Sequence, residues 1–372
     1  MIENLVIARW GEIHLKGDNR GFFLSALKRN LEAVTGAKVV IDSGRAFLTG
    51  FCNVDRVVQA AANTFGIVSV SPAVKIKSVP KEILNYLKTL EIEGTFKVEV
   101  NRANKDFPHK SPEFAAIAGG AVSAKVDIHN PQTVVSIDIR ESTYVYTKVV
   151  DGVGGLPVGT AGRALVMLSG GIDSPVSAYL AAKRGLGIDF VHFYTPPYTS
   201  EFALEKIRDL AKKLQEFCGK SRLFIVPITK IMEAIRENCQ SEFIITIMRR
   251  FFVRIAERVA TGNKLECLIT GENLSQVASQ TVAGIASNNV CARVLPILRP
   301  LVTYDKSEIV DLARKIDTYE ISCRPHPDCC VVFVPKHPSI NPNLQKVEKD
   351  EAKLDVEALI NEALSMIVCE TI

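Results

Sequence analysis

The sequence predicts an α/β protein, with an α+β N-terminal part followed by a doubly wound parallel sheet. Three observations carry this. Residues 1–150 mix short strand patterns and amphipathic helices without strict alternation. Residues 151–162 hold five glycines in twelve positions, the texture of a linker or mobile loop. From residue 163 strand and helix patterns alternate, which points to a parallel sheet wrapped by helices, with ligand sites beyond the C-terminal strand ends.

In order, a strand is expected over 4–10 and a helix over 20–34, where Phe23, Leu24, Leu27 and Leu31 fall on one face. Strands over 38–41 and 45–50 flank Asp42-Ser43-Gly44, a tight-turn signal. Helices are expected over 55–64, 80–90 and 112–125, and strands over 67–77, 95–101, 133–139 and 144–149. After the linker come strands at 164–168, 188–193, 222–227 and 267–270. The helices between and after them span 175–183, 201–217, 241–259 and 306–315.

The 372 residues suggest two or three domains at roughly 100–200 residues each. No apolar run reaches the length of a membrane span, and the start lacks a basic region followed by an apolar stretch, so neither a span nor a secretory signal is expected. Nine scattered cysteines match free thiols in a reducing, cytoplasmic setting rather than a disulfide framework. Net charge is +4, and the surplus lies in residues 1–150, with 19 Lys+Arg against 15 Asp+Glu. The last 32 residues are acidic. A modest basic surplus points weakly to a nucleic-acid partner.

The sharpest feature is Ala164-Leu-Val-Met-Leu168 running into Ser169-Gly170-Gly171-Ile172-Asp173-Ser174-Pro175. A buried strand ends in two glycines, and a helix is expected to begin at Pro175, where a missing N–H costs nothing. Loop amides and the helix N-terminus then converge on an anion site, with Ser169 and Ser174 as hydroxyl donors. Asp173 fits there only with a Mg²⁺ between the anions. An ordinary capped βα turn is the plainer reading. Two other phosphate motifs fail: Pro157 occupies the third glycine position of a near G-x-G-x-x-G, and Leu214 stands where a Walker loop before Gly219-Lys220-Ser221 needs glycine. The latter triplet reads as a helix C-cap before a strand.

The Ser169–Ser174 motif resembles the PP-loop of ATP pyrophosphatases, which cleave ATP to AMP and diphosphate to activate a carbonyl oxygen. Further stretches narrow the family: Arg9-Trp-Gly-Glu-Ile-His-Leu-Lys-Gly17, Phe96-Lys-Val-Glu-Val-Asn-Arg102, His192-Phe-Tyr-Thr-Pro-Pro-Tyr198, Ser279-Gln-Thr281, Arg299-Pro-Leu301 and Asp328-Cys-Cys330. Together they are similar to the ThiI-type tRNA sulfurtransferases, which make 4-thiouridine. The resemblance implies a ferredoxin-like domain (1–54), a THUMP domain (55–150), a linker (151–162), a PP-loop domain (163–340) and an acidic helical tail (341–372).

It also implies ATP contacts at Met167, Leu168, Ser169, Gly170, Gly171, Ser174, His192, Phe193, Arg249, Gly271 and Gln280, with Asp173 on Mg²⁺ and Lys306 steadying the adenylate. Arg249 reads otherwise as a cation snorkelling from a helix. Lys306, between Asp305 and Glu308, reads otherwise as part of a capping box. A persulfide-bearing Cys329 or Cys330 is implied, fed by a cysteine desulfurase or another donor, with Arg324, His326 or Lys336 favouring the thiolate. An iron–sulfur cluster on Cys323, Cys329 and Cys330 is not favoured, because no C-x-x-C occurs. The resemblance also implies possible transfer to the thiazole-pathway carrier ThiS, which in longer members depends on a rhodanese domain that is not expected in this chain. Expected tRNA contacts are Lys16, Arg20, Lys97, Arg102, Lys105 and Lys110, the last four grouped with Phe107. Relatives suggest a homodimer. On the residues alone, a PP-loop enzyme acting on a small molecule and a non-catalytic tRNA-binding protein remain alternatives.

Overall fold

The computed structural model describes residues 2–277, 279–326 and 338–372. The chain forms two units, Met1–Pro157 and Val158–Ile372.

The first unit begins β1 (Glu3–Trp10), α1 (Arg20–Thr35), β2 (Lys38–Asp42), β3 (Arg45–Thr49), α2 (Val54–Ala62) and β4 (Ile67–Lys77). Strand β1 pairs antiparallel with both β3 and β4, the latter from Glu3↔Lys75 to Trp10↔Ile67. This closes a βαββαβ run. By pairing, α2 and β4 therefore belong with the first strands, beyond the boundary drawn at residue 54 from sequence. At the β2–β3 turn Ser43 and Gly44 have φ of 47° and 81°, the two positive values that let a two-residue turn follow the strand twist. Val6, Ala8 and Trp10 bury against Leu27, Leu31, Val57 and Ala61 of the helices.

The unit continues with α3 (Pro80–Leu87), β5 (Thr95–Arg102), α4 (Ser111–Gly119), β6 (Lys125–Val126), β7 (Thr133–Ile139), β8 (Ser142–Tyr146) and β9 (Val150–Asp151). Strand β8 pairs with β4, so both halves share one nine-stranded sheet, in the order β2-β3-β1-β4-β8-β7-β5-β6 with β9 on β4. Val135, Ile137 and Ile139, alternate residues of β7, share a core with Ile83, Leu87 and Phe114.

The second unit contains β10 (Arg163–Met167), α5 (Asp173–Lys183), β11 (Gly187–Tyr194), α6 (Glu201–Cys218), β12 (Arg222–Pro227), α7 (Thr229–Asn238), α8 (Ile244–Gly262) and β13 (Cys267–Ile269). It continues with α9 (Val282–Asn289), β14 (Ile297–Leu298), α10 (Lys306–Lys315), α11 (Tyr319–Ser322), α12 (Leu344–Glu351), α13 (Val356–Ser365) and β15 (Val368–Thr371). The sheet runs β14-β13-β10-β11-β12-β15, parallel except for β15. The chain steps from β10 through β11 to β12, then returns to place β13 on the other flank of β10. That reversal leaves a crevice beyond the C-terminal ends of β10 and β13, where open α/β sheets hold ligands. Gly219, at φ 73°, caps α6 just before β12, as expected of the Gly-Lys-Ser triplet.

Two expectations are corrected. The helix after the loop starts at Asp173 rather than Pro175; Pro175 sits in the first turn, whose N–H groups have no intrahelical acceptor in any case. The acidic C-terminal stretch is two helices plus a strand, and it completes the unit. Val347, Leu354, Ile360 and Ala363 join the core around α8, Arg250 and Arg254 both clamp Glu351, and β15 closes the sheet edge on β12. Sequence reading missed β15 because an edge strand of four residues carries too little periodicity.

Candidate active site

Strand β10 is apolar because it is central: Ala164, Leu165 and Val166 have no exposed surface. Its register against β11 and β13 fixes where the chain emerges, and the next five residues turn back into α5. The turn is held internally. Ser169 N–H donates to Ser174 Oγ at 2.9 Å, and the Ser174 hydroxyl lies 3.2 Å from the Ser169 carbonyl and 3.0 Å from Ser169 Oγ. Ser322 donates to the Gly171 carbonyl at 3.3 Å, tying α11 to the loop.

Gly271, two residues past β13, packs on the loop from the side. A Cβ there would lie 2.8 Å from Ser174 N, 2.9 Å from Ser174 Cα and 3.0 Å from the Asp173 carbonyl carbon. Only glycine lets the end of β13 approach the loop so closely. Gly171 differs: a Cβ would meet only Ser169 Oγ, at 3.6 Å, and otherwise open space.

At this crevice lies a cavity of about 290 Å³. Of the expected nucleotide contacts, Met167, Leu168, Ser169, Ser174, His192, Phe193, Arg249, Gly271 and Gln280 line it, as does Asp173. Gly170 and Gly171 belong to the loop without lining the cavity. Three of these residues also have structural partners. His192 Nδ1 is 2.9 Å from the Leu168 carbonyl, which only a protonated Nδ1 can satisfy, and this ties the ends of β10 and β11 together. Phe193 stacks on Phe252 of α8, with centroids 4.0 Å apart and planes 5° from parallel. Arg249 does not snorkel; its Nη1 reaches Glu272 Oε1 at 2.8 Å.

Glu272 is the hub that sequence reading missed. It is 8 % exposed and also accepts from Arg299 Nε at 2.6 Å and from Thr270 Oγ1 at 3.2 Å. Burial pushes its carboxyl up, but the Arg249 and Arg299 guanidiniums outweigh that and hold it below the usual range. Phe252 and Val253 also line the cavity; their spacing three and four residues beyond Arg249 on one helix was the available signal. Asn288 lines it with no signal in the sequence.

At the loop, Asp173 Oδ1 is 2.6 Å from Lys306 Nζ, and Oδ2 accepts from Gln276 Nε2 at 3.0 Å. Lys306 opens α10, whose capping box is present, with Asp305 N–H on Glu308 Oε2 at 2.8 Å. The capping-box reading of Lys306 holds, and the box aims the helix start that brings the ammonium to Asp173. Among the described residues no group of three His, Cys, Asp or Glu side chains could hold a metal by itself. A Mg²⁺ on Asp173 would draw its other ligands from phosphates and water, the usual habit of that ion. Lys306 is about half exposed and able to swing aside.

Comparison with known proteins places this geometry. Residues 159–356 match the family model described as thiamine biosynthesis protein (ThiI), residues 5–71 the ThiI ferredoxin-like domain, and residues 75–148 the THUMP domain. A probable tRNA sulfurtransferase of Alkaliphilus metalliredigens is 45 % identical, covering 100 % of this chain and 99 % of its own. The chain belongs to the ThiI family of tRNA sulfurtransferases. Another relative of that name, from Clostridium acetobutylicum, is 44 % identical over 97 % of this chain and 96 % of its own. A solved structure described as a 4-thiouridine synthetase–RNA complex with bound ATP is 37 % identical, covers both chains completely and gives a TM-score of 0.90.

For a ThiI-family enzyme the remaining expected residues fall as follows. Cys329, Cys330 and Lys336 lie outside the described residues. Cys323 is exposed, and burial pushes the Cys218 thiol up to about 12 and the Cys267 thiol up to about 11. Arg324 pairs with Asp209, and His326 stacks on Phe202 at 5.4 Å, so two of the three groups expected to favour a thiolate are engaged by α6.

Of the expected RNA contacts, Lys105 and Lys110 are exposed. Lys97 pairs with Glu99 at 2.6 Å, and Lys16 with Glu12 at 3.6 Å. Arg20 donates to the His14 carbonyl at 3.0 Å, and Arg102 to the Lys105 and Phe107 carbonyls at 3.2 Å, bracing a turn. Phe107 does not stand among them as a stacking surface; it is buried edge-on against Phe114 at 4.9 Å. Unmarked in the sequence, Arg45 and Arg140 both bind the buried Asp138 from one face of the sheet.

Proposed function

We propose that this chain transfers sulfur to C4 of uridine 8 in tRNA, forming 4-thiouridine while ATP becomes AMP and diphosphate. One observation carries the reading: a crevice at the strand-order reversal, lined by nine of the eleven expected nucleotide positions and closed by the 169–174 loop. Full-length relatives of that name support it.

The chemistry follows from what a uracil lacks. Its C4 oxygen is a poor leaving group, so it attacks the α-phosphorus of ATP, and the P–O bond to diphosphate breaks. Sulfur then adds at C4, and AMP departs. The loop amides and the N-terminus of α5 face the phosphates, favouring the charge that builds on diphosphate. Ser169 and Ser174, now satisfied by each other, are placed to turn their hydroxyls to phosphate oxygens. Asp173 would hold Mg²⁺, which when bound neutralises phosphate charge and steadies the leaving group. Lys306 supplies a second cation beside it, and Arg249, steadied by Glu272, projects its charge into the cavity.

Sulfur arrives on Cys329 or Cys330 as a persulfide from a cysteine desulfurase or another donor. After the terminal sulfur bonds to C4, a second thiol breaks the S–S link, leaving a protein disulfide and the thiouracil. The cations of the first unit hold the RNA through phosphate and shape contacts. The test is mass spectrometry of nucleosides from tRNA incubated with the enzyme, ATP, Mg²⁺ and a persulfide source. 4-Thiouridine at position 8 with stoichiometric AMP is expected; AMP release without thiolated tRNA, or thiolation without ATP, would overturn the proposal.

A further inference from the structure

Among the described residues, one polar side chain of the cavity wall serves neither the sequence motifs, the Glu272 cluster nor the reaction above. Asn288, in the last turn of α9, is 2 % exposed and lines the cavity, and its Oδ1 has no hydrogen-bond partner among the described residues. Gln280, at 7 % exposed, shows the same condition at Oε1. Two buried carboxamides with unmet acceptors on one cavity are unusual, because folded proteins pair nearly all such atoms and pay the full desolvation cost for those left over.

The position of Asn288 is built. On one side Arg250 Nη1 donates to the Ser287 carbonyl at 2.8 Å; on the other Arg299 Nη2 donates to Asn289 Oδ1 at 2.8 Å. Both arginines are anchored in turn, Arg250 on Glu351 and Arg299 on Glu272. Arg299 thus links the wall residue Glu272 to the end of α9. The chain on both sides of Asn288 is thus held, while its own Oδ1 stays unmet among the described residues, an arrangement preorganised for a ligand.

The chemistry of that ligand follows from the group and its surroundings. A carboxamide sets a donor and an acceptor side by side, the complement of the adenine edge, whose amino group donates beside a ring nitrogen that accepts. Met167, Val253 and the stacked Phe193–Phe252 pair give the same cavity flat apolar walls suited to an aromatic ring. We propose that Asn288 is a base-reading residue, its carboxamide hydrogen-bonding the edge of the adenine ring of ATP and selecting for the 6-amino group. This rests on the reading of the cavity as the ATP site.

The test measures equilibrium binding of ATP, 2′-deoxyATP and purine riboside triphosphate (hydrogen in place of the 6-amino group) to the full chain and to Asn288→Leu. The wild-type chain is expected to favour ATP over the purine analogue by about 5- to 150-fold, the range of one good bidentate base contact. Asn288→Leu should bring the two within about two-fold, because ATP weakens and the analogue does not. Asn288→Ala, which adds no bulk, gives the same readout should the leucine variant fail to fold. A preference for the amino purine that survives both substitutions overturns the proposal, as does equal weakening of ATP and the analogue. Loss of discrimination only against 2′-deoxyATP overturns it too, by placing the amide on the ribose. A wild-type chain that binds no adenine nucleotide refutes the ATP reading itself, an outcome distinct from the others.

Discussion

Replacing Gly271 by alanine tests whether the phosphate loop is positioned by backbone packing or by its own turn. The added methyl would meet Ser174 N at 2.8 Å, about 0.6 Å inside the 3.4 Å of ordinary contact, and all three nearest atoms are main chain. Main chain in the first turn of α5 cannot rotate away as a side chain can, so loop and helix must shift together. Overpacking of this kind costs about 1–3 kcal/mol. In a unit of this size that lowers the melting temperature by about 2–4 °C per kcal/mol. A displacement of this order in a reacting site costs on the order of 10- to 100-fold in rate. Gly171→Ala is the matched control, because its methyl would enter open space beside Ser169 Oγ at 3.6 Å. It should leave the melting temperature within about a degree yet weaken ATP, whose phosphates need that space. The assays are thermal unfolding and tRNA-dependent diphosphate release. Gly271→Ala with wild-type melting and rate, or Gly171→Ala with unchanged ATP affinity, would refute the reasoning.

Further expectations concern charge and sulfur. Asp173→Ala should abolish AMP formation while leaving tRNA affinity within a few fold, read by nucleotide chromatography and filter binding. Glu272→Gln leaves two guanidiniums on a neutral partner; breaking a buried pair costs about 3–5 kcal/mol, visible as a lower urea midpoint. Because the folded carboxyl lies below its ordinary value of 4.5, its contribution is complete above that pH and fades as pH falls through the lower folded value. The variant should therefore lose less stability than wild type as pH falls below 4.5, and an unchanged acid profile would contradict this. Replacing Cys329 and Cys330 together should permit diphosphate release but yield no thiolated tRNA; retained thiolation from a persulfide donor would remove both from the mechanism. RNA affinity should fall steeply between 50 and 200 mM salt, on the order of 10-fold or more if several phosphates are contacted, and a flat profile would exclude the cationic surface as the docking face.

Much of this protein is local, and so it was legible. The 169–174 loop is recognisable because glycines, hydroxyls and an aspartate must follow one another for amides to converge, and that order is written along the chain. The Asp305–Glu308 box, the Gly219 cap and the Ser43-Gly44 turn are local in the same way, each satisfying its own backbone within four residues. What escaped is made of partners far apart. Glu272 gains its meaning from Arg249 and Arg299, each more than twenty residues away. Asp173 meets Lys306 across 133 positions, and Glu351 meets Arg250 across 101.

The sequence by itself determined the alternation of strand and helix, the phosphate-type turn and its place after a buried strand, because each depends on residues adjacent in the chain. Only the tertiary structure decided that β13 returns beside β10, that Gly271 must lack a side chain, and that Asn288 lines the cavity with its acceptor unmet among the described residues. Those facts arise from which surfaces meet once the sheet closes, and a one-dimensional pattern carries no record of a contact whose two halves lie a hundred residues apart.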